Sequence, residues 1–169
     1  TLEKVLKRNP QHPGAIHLYI HAVEASTHPE KALPYAKRLG QLMPGAGHIV
    51  HMPAHIFQRV GRYEDASEAN RRAAKADEAY FARTRPPGYY PMYLGHNHGF
   101  LAYSASMLGR SEESLTAARA SAKAVPPEML DMMPGMDFFA SEPLLVLVRF
   151  GKWKEILAVA PGESKERNL

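Results

Sequence analysis

No cysteine occurs anywhere in the 169 residues. That absence excludes disulfides and thiolate metal sites, and it leaves the redox compartment unread. No run of about 18 apolar residues is present, so no membrane-spanning helix is expected. The apolar stretch 144–148 is far too short. Charge of one sign is not concentrated either. The formal charge is +4, and basic residues such as Arg71, Arg72, Lys75, Lys152 and Lys154 alternate with Glu and Asp. Such scattering reads as solvated helix faces rather than a nucleic-acid stripe. Ser/His/Asp patterns and Gly-rich phosphate loops are missing too, which speaks against nucleophilic hydrolysis and nucleotide binding. What remains is globular in character, with 45% hydrophobic and 22% charged residues and enough length to bury a core. Histidine is the anomaly. There are nine, and most fall in or near two short clusters.

The chain repeats itself. The phrase Gly61-Arg62-Tyr63-Glu64-Asp65-Ala66 reads as a turn between two helical patterns. It returns as Gly109-Arg110-Ser111-Glu112-Glu113-Ser114 and as Gly151-Lys152-Trp153-Lys154-Glu155-Ile156. Small residues follow each of the first two turns, at Ala73 and Ser121, with Ala32 in the same place upstream. Repeats then start near 13, 47, 95 and 137, and the first two starts are 34 residues apart. That period and these turns resemble the tetratricopeptide repeat family across nearly the whole length. The resemblance implies an all-α fold, a right-handed solenoid of antiparallel helical hairpins. Repeats are expected near 13–46, 47–80, 95–128 and 137–169, with an insertion at 81–94. First helices are expected near 13–26, 47–60, 95–108 and 137–150, and second helices near 29–42, 63–79, 111–124 and 153–160. A partial helix at 2–8 completes the set. Because such arrays need neighbours to cover each apolar face, the expectation is a C-terminal part of a longer array. A signal peptide would then lie outside it, and the compartment, cytoplasmic or periplasmic, is not legible. Pro53 and Pro143 fall inside first helices, so those helices either bend or begin later.

The histidines keep step with the repeat. At 100° per residue, His17, His21 and Glu24 of the first repeat and His48, His51 and His55 of the second fall within an arc of about 80°. His96 takes the same place as His48 and joins that face, while His98 points over about 100° away. In tetratricopeptide proteins this face of the first helix lines the concave groove, so the resemblance implies that these side chains meet across adjacent helices. Neutral imidazole is the commonest metal ligand, and two at i and i+4 can address one ion. That spacing occurs twice, as His17/His21 and His51/His55. The candidate ligands are therefore His17, His21, Glu24, His48, His51, His55 and His96, for one or two transition-metal ions of copper, iron or zinc. With ordinary imidazole values near 6.5, metal should leave as the pH falls through about 6 to 5.

Weaker signals surround this one. Tyr89, Tyr90 and Tyr93 are read as covering the groove mouth and packing on Phe100 or Tyr103, and Tyr103 as bordering the site. His12 and His28 precede prolines and suit a turn or cap; Ser111 with Ser114 suits a helix entrance. Met129, Met132, Met133 and Met136 read as packing residues before they read as soft-metal ligands. Glu142 lies near the groove face beside Pro143. The stretches from His12 to Glu24 and from His51 to Phe57, with His96-Asn97, resemble a bacterial His-rich subgroup of tetratricopeptide proteins. Membership implies a metal-friendly groove and names no reaction. Three classes stay open: a metal carrier or sensor, a metalloenzyme of oxidoreductase or hydrolase type, and a scaffold gripping a partner peptide or small molecule in the same groove.

Overall fold

A computed structural model describes residues 1–85, 88–125, 129 and 135–159. Among them the chain is all-α, with no strand. The helices are α1 (Leu2–Arg8), α2 (Pro13–Glu24), α3 (Leu33–Leu42), α4 (Gly47–His51), α5 (Pro53–Arg59), α6 (Tyr63–Phe81), α7 (Pro91–Met107), α8 (Ser111–Ala124), α9 (Phe138–Arg149) and α10 (Trp153–Ala158). A 3₁₀ turn, Pro29–Ala32, leads into α3. No helix among these residues is long and apolar enough to cross a membrane.

The three repeated phrases build three copies of one turn. Gly61, Gly109 and Gly151 have φ of 75°, 73° and 62°, the left-handed region that a residue without Cβ enters freely. The amide after each glycine reaches back five residues: Arg62 to the Phe57 carbonyl, Arg110 to Ala105 and Lys152 to Leu147, at 2.8, 3.0 and 2.9 Å. Each glycine thus ends one helix and starts its antiparallel partner. The small residues that follow are buried, Ala32, Ala73 and Ser121 all with no exposed surface. Ser121 uses the closeness to donate its hydroxyl to the Gly95 carbonyl at 2.9 Å.

Elements pack on their neighbours in chain order. α1 lies on α2, α2 on α3 and α5, α4 and α5 on α6, α6 on α7, α7 on α8, and α9 on both α8 and α7. The main core joins Leu6, Ile16, Ile20, Leu39, Met52 and Ile56. The effect is that α2, the α4–α5 pair and α7 stand side by side.

Several boundaries differ from the sequence expectation. The first helix of the third repeat begins at Pro91, not near 95, because Pro suits a first helical turn where its missing N–H costs nothing. Residues 91–94 of the expected insertion are therefore helical, as is Phe81 at the end of α6. The second helix expected from 29 starts as a 3₁₀ turn, and Pro34 sits in the first turn of the α-helix proper. Pro53 divides the second-repeat helix without ending its course. Met52 keeps helical angles (φ −48°, ψ −36°), and the His55 amide bonds the Met52 carbonyl at 3.3 Å, a tighter i→i−3 step. His48 and His51 are thus helical, not in a loop. Pro143 lies inside α9. His12 caps α2 as expected, its Nδ1 accepting from the Ala15 amide at 3.2 Å. Ser111 makes no cap bond, and Ser114 instead donates to the Ala102 carbonyl at 2.8 Å.

Candidate metal centre

Helical spacing on α2, the α4–α5 pair and α7 brings the histidines together. α2 supplies His17, His21 and Glu24, one turn apart. α4 supplies His48 and His51, α5 supplies His55, and α7 supplies His96. Two groups of three imidazoles form. In the first, His17 Nε2 lies 3.2 Å from His48 Nε2, and the His21 ring stands 5.0 Å from that of His17. In the second, His51 Nε2 lies 2.9 Å from His55 Nε2 and 3.1 Å from His96 Nε2. Within each group one nitrogen from every ring lies within 4.8 Å of the others. The groups are themselves adjacent, with rings of His21 and His55 only 5.2 Å apart.

The outer nitrogens of His21, His51 and His55 are engaged, and that fixes their protons, whereas His48 Nδ1 is buried without a hydrogen-bond partner. Asn70 donates its amide to the Ala66 carbonyl at 2.8 Å, so its oxygen faces His51 Nδ1, at 2.6 Å, as an acceptor. His51 must carry its proton on Nδ1. Glu24 does the same for two rings at once: Oε1 is 2.8 Å from His21 Nδ1 and Oε2 is 2.5 Å from His55 Nδ1. A carboxylate accepts only, so both rings donate from Nδ1. In their neutral forms His51 and His55 then present bare Nε2 lone pairs to each other across 2.9 Å. Two lone pairs at that distance repel unless something positive lies between them.

Protons are poorly suited to that place. Burial pushes the His48 and His96 imidazoles down to about 4, and neighbouring histidines add to the shift. His51, fully buried, is driven well below its ordinary value by burial and by His96 and His55. His55 and His17 are lowered by burial too, although Glu24 opposes the shift at His55. A metal ion can hold several neutral imidazoles at once. Around a tetrahedral ion with bonds of about 2.0–2.1 Å the nitrogens stand about 3.3 Å apart, close to the spacings found here.

His21, Glu24 and His55 also stand close enough together to hold an ion.

Other expected residues are placed as follows. Tyr93 lies against His48, ring to ring at 4.7 Å, and Tyr89 stands beside Tyr93 at 6.3 Å. Tyr90 turns away from the imidazoles. Its hydroxyl donates to Asp77 at 3.3 Å and its ring packs on Tyr80 and Phe81. The expected contacts of these tyrosines with Phe100 or Tyr103 are replaced by these, because helix α7 starts early and carries Tyr93 down beside α4. Tyr103 borders the site from the far side, lining a cavity of about 630 Å³ with His96, Gln58, Arg59 and Glu142. His98 faces away, beside Leu101 and Glu113. His28 pairs with Glu30 at the surface. Met129 and Met136 pack on Val125 and Phe139, whereas Met132 and Met133 lie outside the described residues.

Three contributors carry no signal in the sequence. Phe100 wedges between His51, His55 and His96, with ring separations of 4.7, 4.6 and 4.6 Å. Asn70 is an unremarked residue of α6. Asp77, also from α6, is buried; it accepts from Tyr90 and from the Asn97 amide at 2.7 Å, and it fills the space where Gly47 has no side chain. Burial raises its carboxyl to about 6, against the pull of those two donors.

No family model, curated protein or solved structure matches this chain. The reading of the site rests on its geometry.

Proposed function

We propose that this chain is a transition-metal-binding helical-repeat protein of tetratricopeptide type, holding two ions on the inner face of its first helices. One ion sits among His17, His21 and His48, the other among His51, His55 and His96. Glu24 is the shared outer partner: it fixes the orientation and raises the basicity of one ring in each group, the part that carboxylates play behind metal-bound imidazoles. The observation that carries this reading is the pair of bare Nε2 atoms of His51 and His55, 2.9 Å apart with their outer protons fixed by Asn70 and Glu24. Three nitrogens per ion leave a fourth position open, the arrangement of reactive rather than purely structural centres. An all-nitrogen donor set suits zinc, copper or iron. The chain order of contacts and the three identical glycine turns support the solenoid. A groove that grips an anionic peptide through charged imidazoles fits less well, since burial keeps His48 and His96 neutral down to a pH of about 4.

Elemental analysis of untagged protein after dialysis against zinc tests this. Two ions per chain are expected. His21→Ala and His55→Ala should each lose one ion or weaken it by about a hundredfold, in the range found for removing a key ligand or its partner. His12→Ala and His28→Ala should leave zinc content unchanged, although His12→Ala removes the cap of α2 and costs about 1 kcal/mol of stability. Zinc content that is the same in wild type, His21→Ala and His55→Ala would end the proposal.

A further inference from the structure

A chamber of about 520 Å³ opens directly onto both imidazole groups. Its walls include His21 and His48 from the first group and His55 and His96 from the second. The rest of its lining is apolar and largely aromatic: Tyr89, Met92, Tyr93, Met136, Phe138 and Phe139. Among the described residues, neither charged side chain nor backbone strand edge lines it. The volume falls in the range of pockets that enclose a small organic molecule. Two of its walls, Tyr89 and Phe138, are 60% and 48% exposed, so much of the surface of two large aromatic side chains at the chamber is open to water, although Phe138 also stacks on Phe139. Exposed apolar surface gathered in a concave place marks a binding site more often than a scattered one does.

We infer that this chamber takes a flat, uncharged aromatic molecule bearing one nitrogen or oxygen donor, its ring among Met92, Tyr93 and Phe138 and its donor atom on a metal ion. The inference rests on the metal reading above and adds the ligand to it. The chemistry follows from the walls. Aromatic rings favour edge-to-face or offset contact with another ring, and thioether sulfur adds to contact with ring edges. A charged body would lose its hydration there with nothing to replace it. The donor requirement comes from the open fourth position on each ion, which must face the side where no imidazole stands. That side is the chamber, because the outer face of His51 is closed by Asn70 and the outer faces of His21 and His55 are closed by Glu24. The neighbouring cavity on the far side of His96 is different in kind. It offers Arg59 and Glu142, suited to charged groups, and His96, Phe138 and Phe139 form the wall common to the two.

The test uses the full chain loaded with cobalt(II), whose visible spectrum reports ligands joining the ion, titrated with imidazole and with 4-phenylimidazole. The two probes share one donor and differ by the ring. The expected result is at least tenfold tighter binding of 4-phenylimidazole, with that preference falling to about threefold or less in Phe138→Ala and in Tyr89→Ala. Both positions are partly exposed, so two independent variants guard against a fold lost at one of them, and cobalt uptake should match wild type in each. Equal affinity for the two probes, or a preference that survives both substitutions, overturns the chamber while leaving the metal site standing. Failure of wild type to take up cobalt removes the metal reading, and the chamber ligand with it.

Discussion

At the scale of single residues the site is a problem of proton placement. His48 and His96 have values near 4 in the folded chain against about 6.5 when unfolded. The unfolded chain therefore binds more protons across that window, and stability falls as the pH drops from about 6.5 toward 4. Asp77 has the opposite sign: its value is raised to about 6, so its contribution weakens as the pH rises through 6. The metal-free chain should melt at least about 5 °C lower at pH 5 than at pH 6.5, judged by how small domains respond to a few kcal/mol. A thermal melt with chelator present checks this; an unchanged midpoint would contradict buried neutral imidazoles. The same shifts revise the sequence-based expectation for metal release. Zinc should persist at pH 5.5 and leave nearer pH 4 to 5, read by dialysis at each pH. The seven candidate ligands were legible because i, i+4 spacing and repeat phase are linear properties of a chain. Asn70, Asp77 and Phe100 were not, since their roles come from which element lies beside them.

At the scale of elements, the short helix α4 carries the most consequence for its five residues. It supplies one imidazole to each group and is seated against Asp77 of α6 through Gly47. A Cβ at Gly47 would overlap the Asp77 carboxylate, so Gly47→Ala should shift α4 and carry His48 and His51 with it. We expect a loss of about 2–4 kcal/mol, the range for overpacking and a disturbed buried polar group together, along with weaker zinc binding in both groups. Gly45→Ala is the control, because nothing lies within 4 Å of a Cβ there. Urea melts and zinc titration of the two variants separate the outcomes; equal stability would show that α4 is not seated as described. The hairpin turns were readable in advance from Gly61, Gly109 and Gly151, since a left-handed position all but names its residue. The start of α7 was not. Pro91 suits a helix entrance as well as a loop, and only the fit of Tyr93 beside His48 decides between them.

At the scale of the whole molecule, contacts run largely between neighbours in chain order, and the seven candidate ligands span positions 17 to 96. On the proposed repeat-array reading, stability comes from each unit and its interface with the next, so one end can open while the other stays closed. The last described helix, α10, leaves Trp153 and Leu157 at 60% and 86% exposure. Ions held by ligands on α2, α4, α5 and α7 would change that behaviour. Each would act as a rivet through successive layers: the first joins α2 to α4, the second joins α4 and α5 to α7. Binding only to the closed form, they stabilise it in proportion to ligand concentration over affinity, and they forbid α2 or α7 from fraying alone. Amide hydrogen exchange should therefore show graded protection along the metal-free chain, and one shared opening rate for residues 13–107 once zinc is bound. Graded exchange that persists with both ions in place would mean that the layers still come apart one by one.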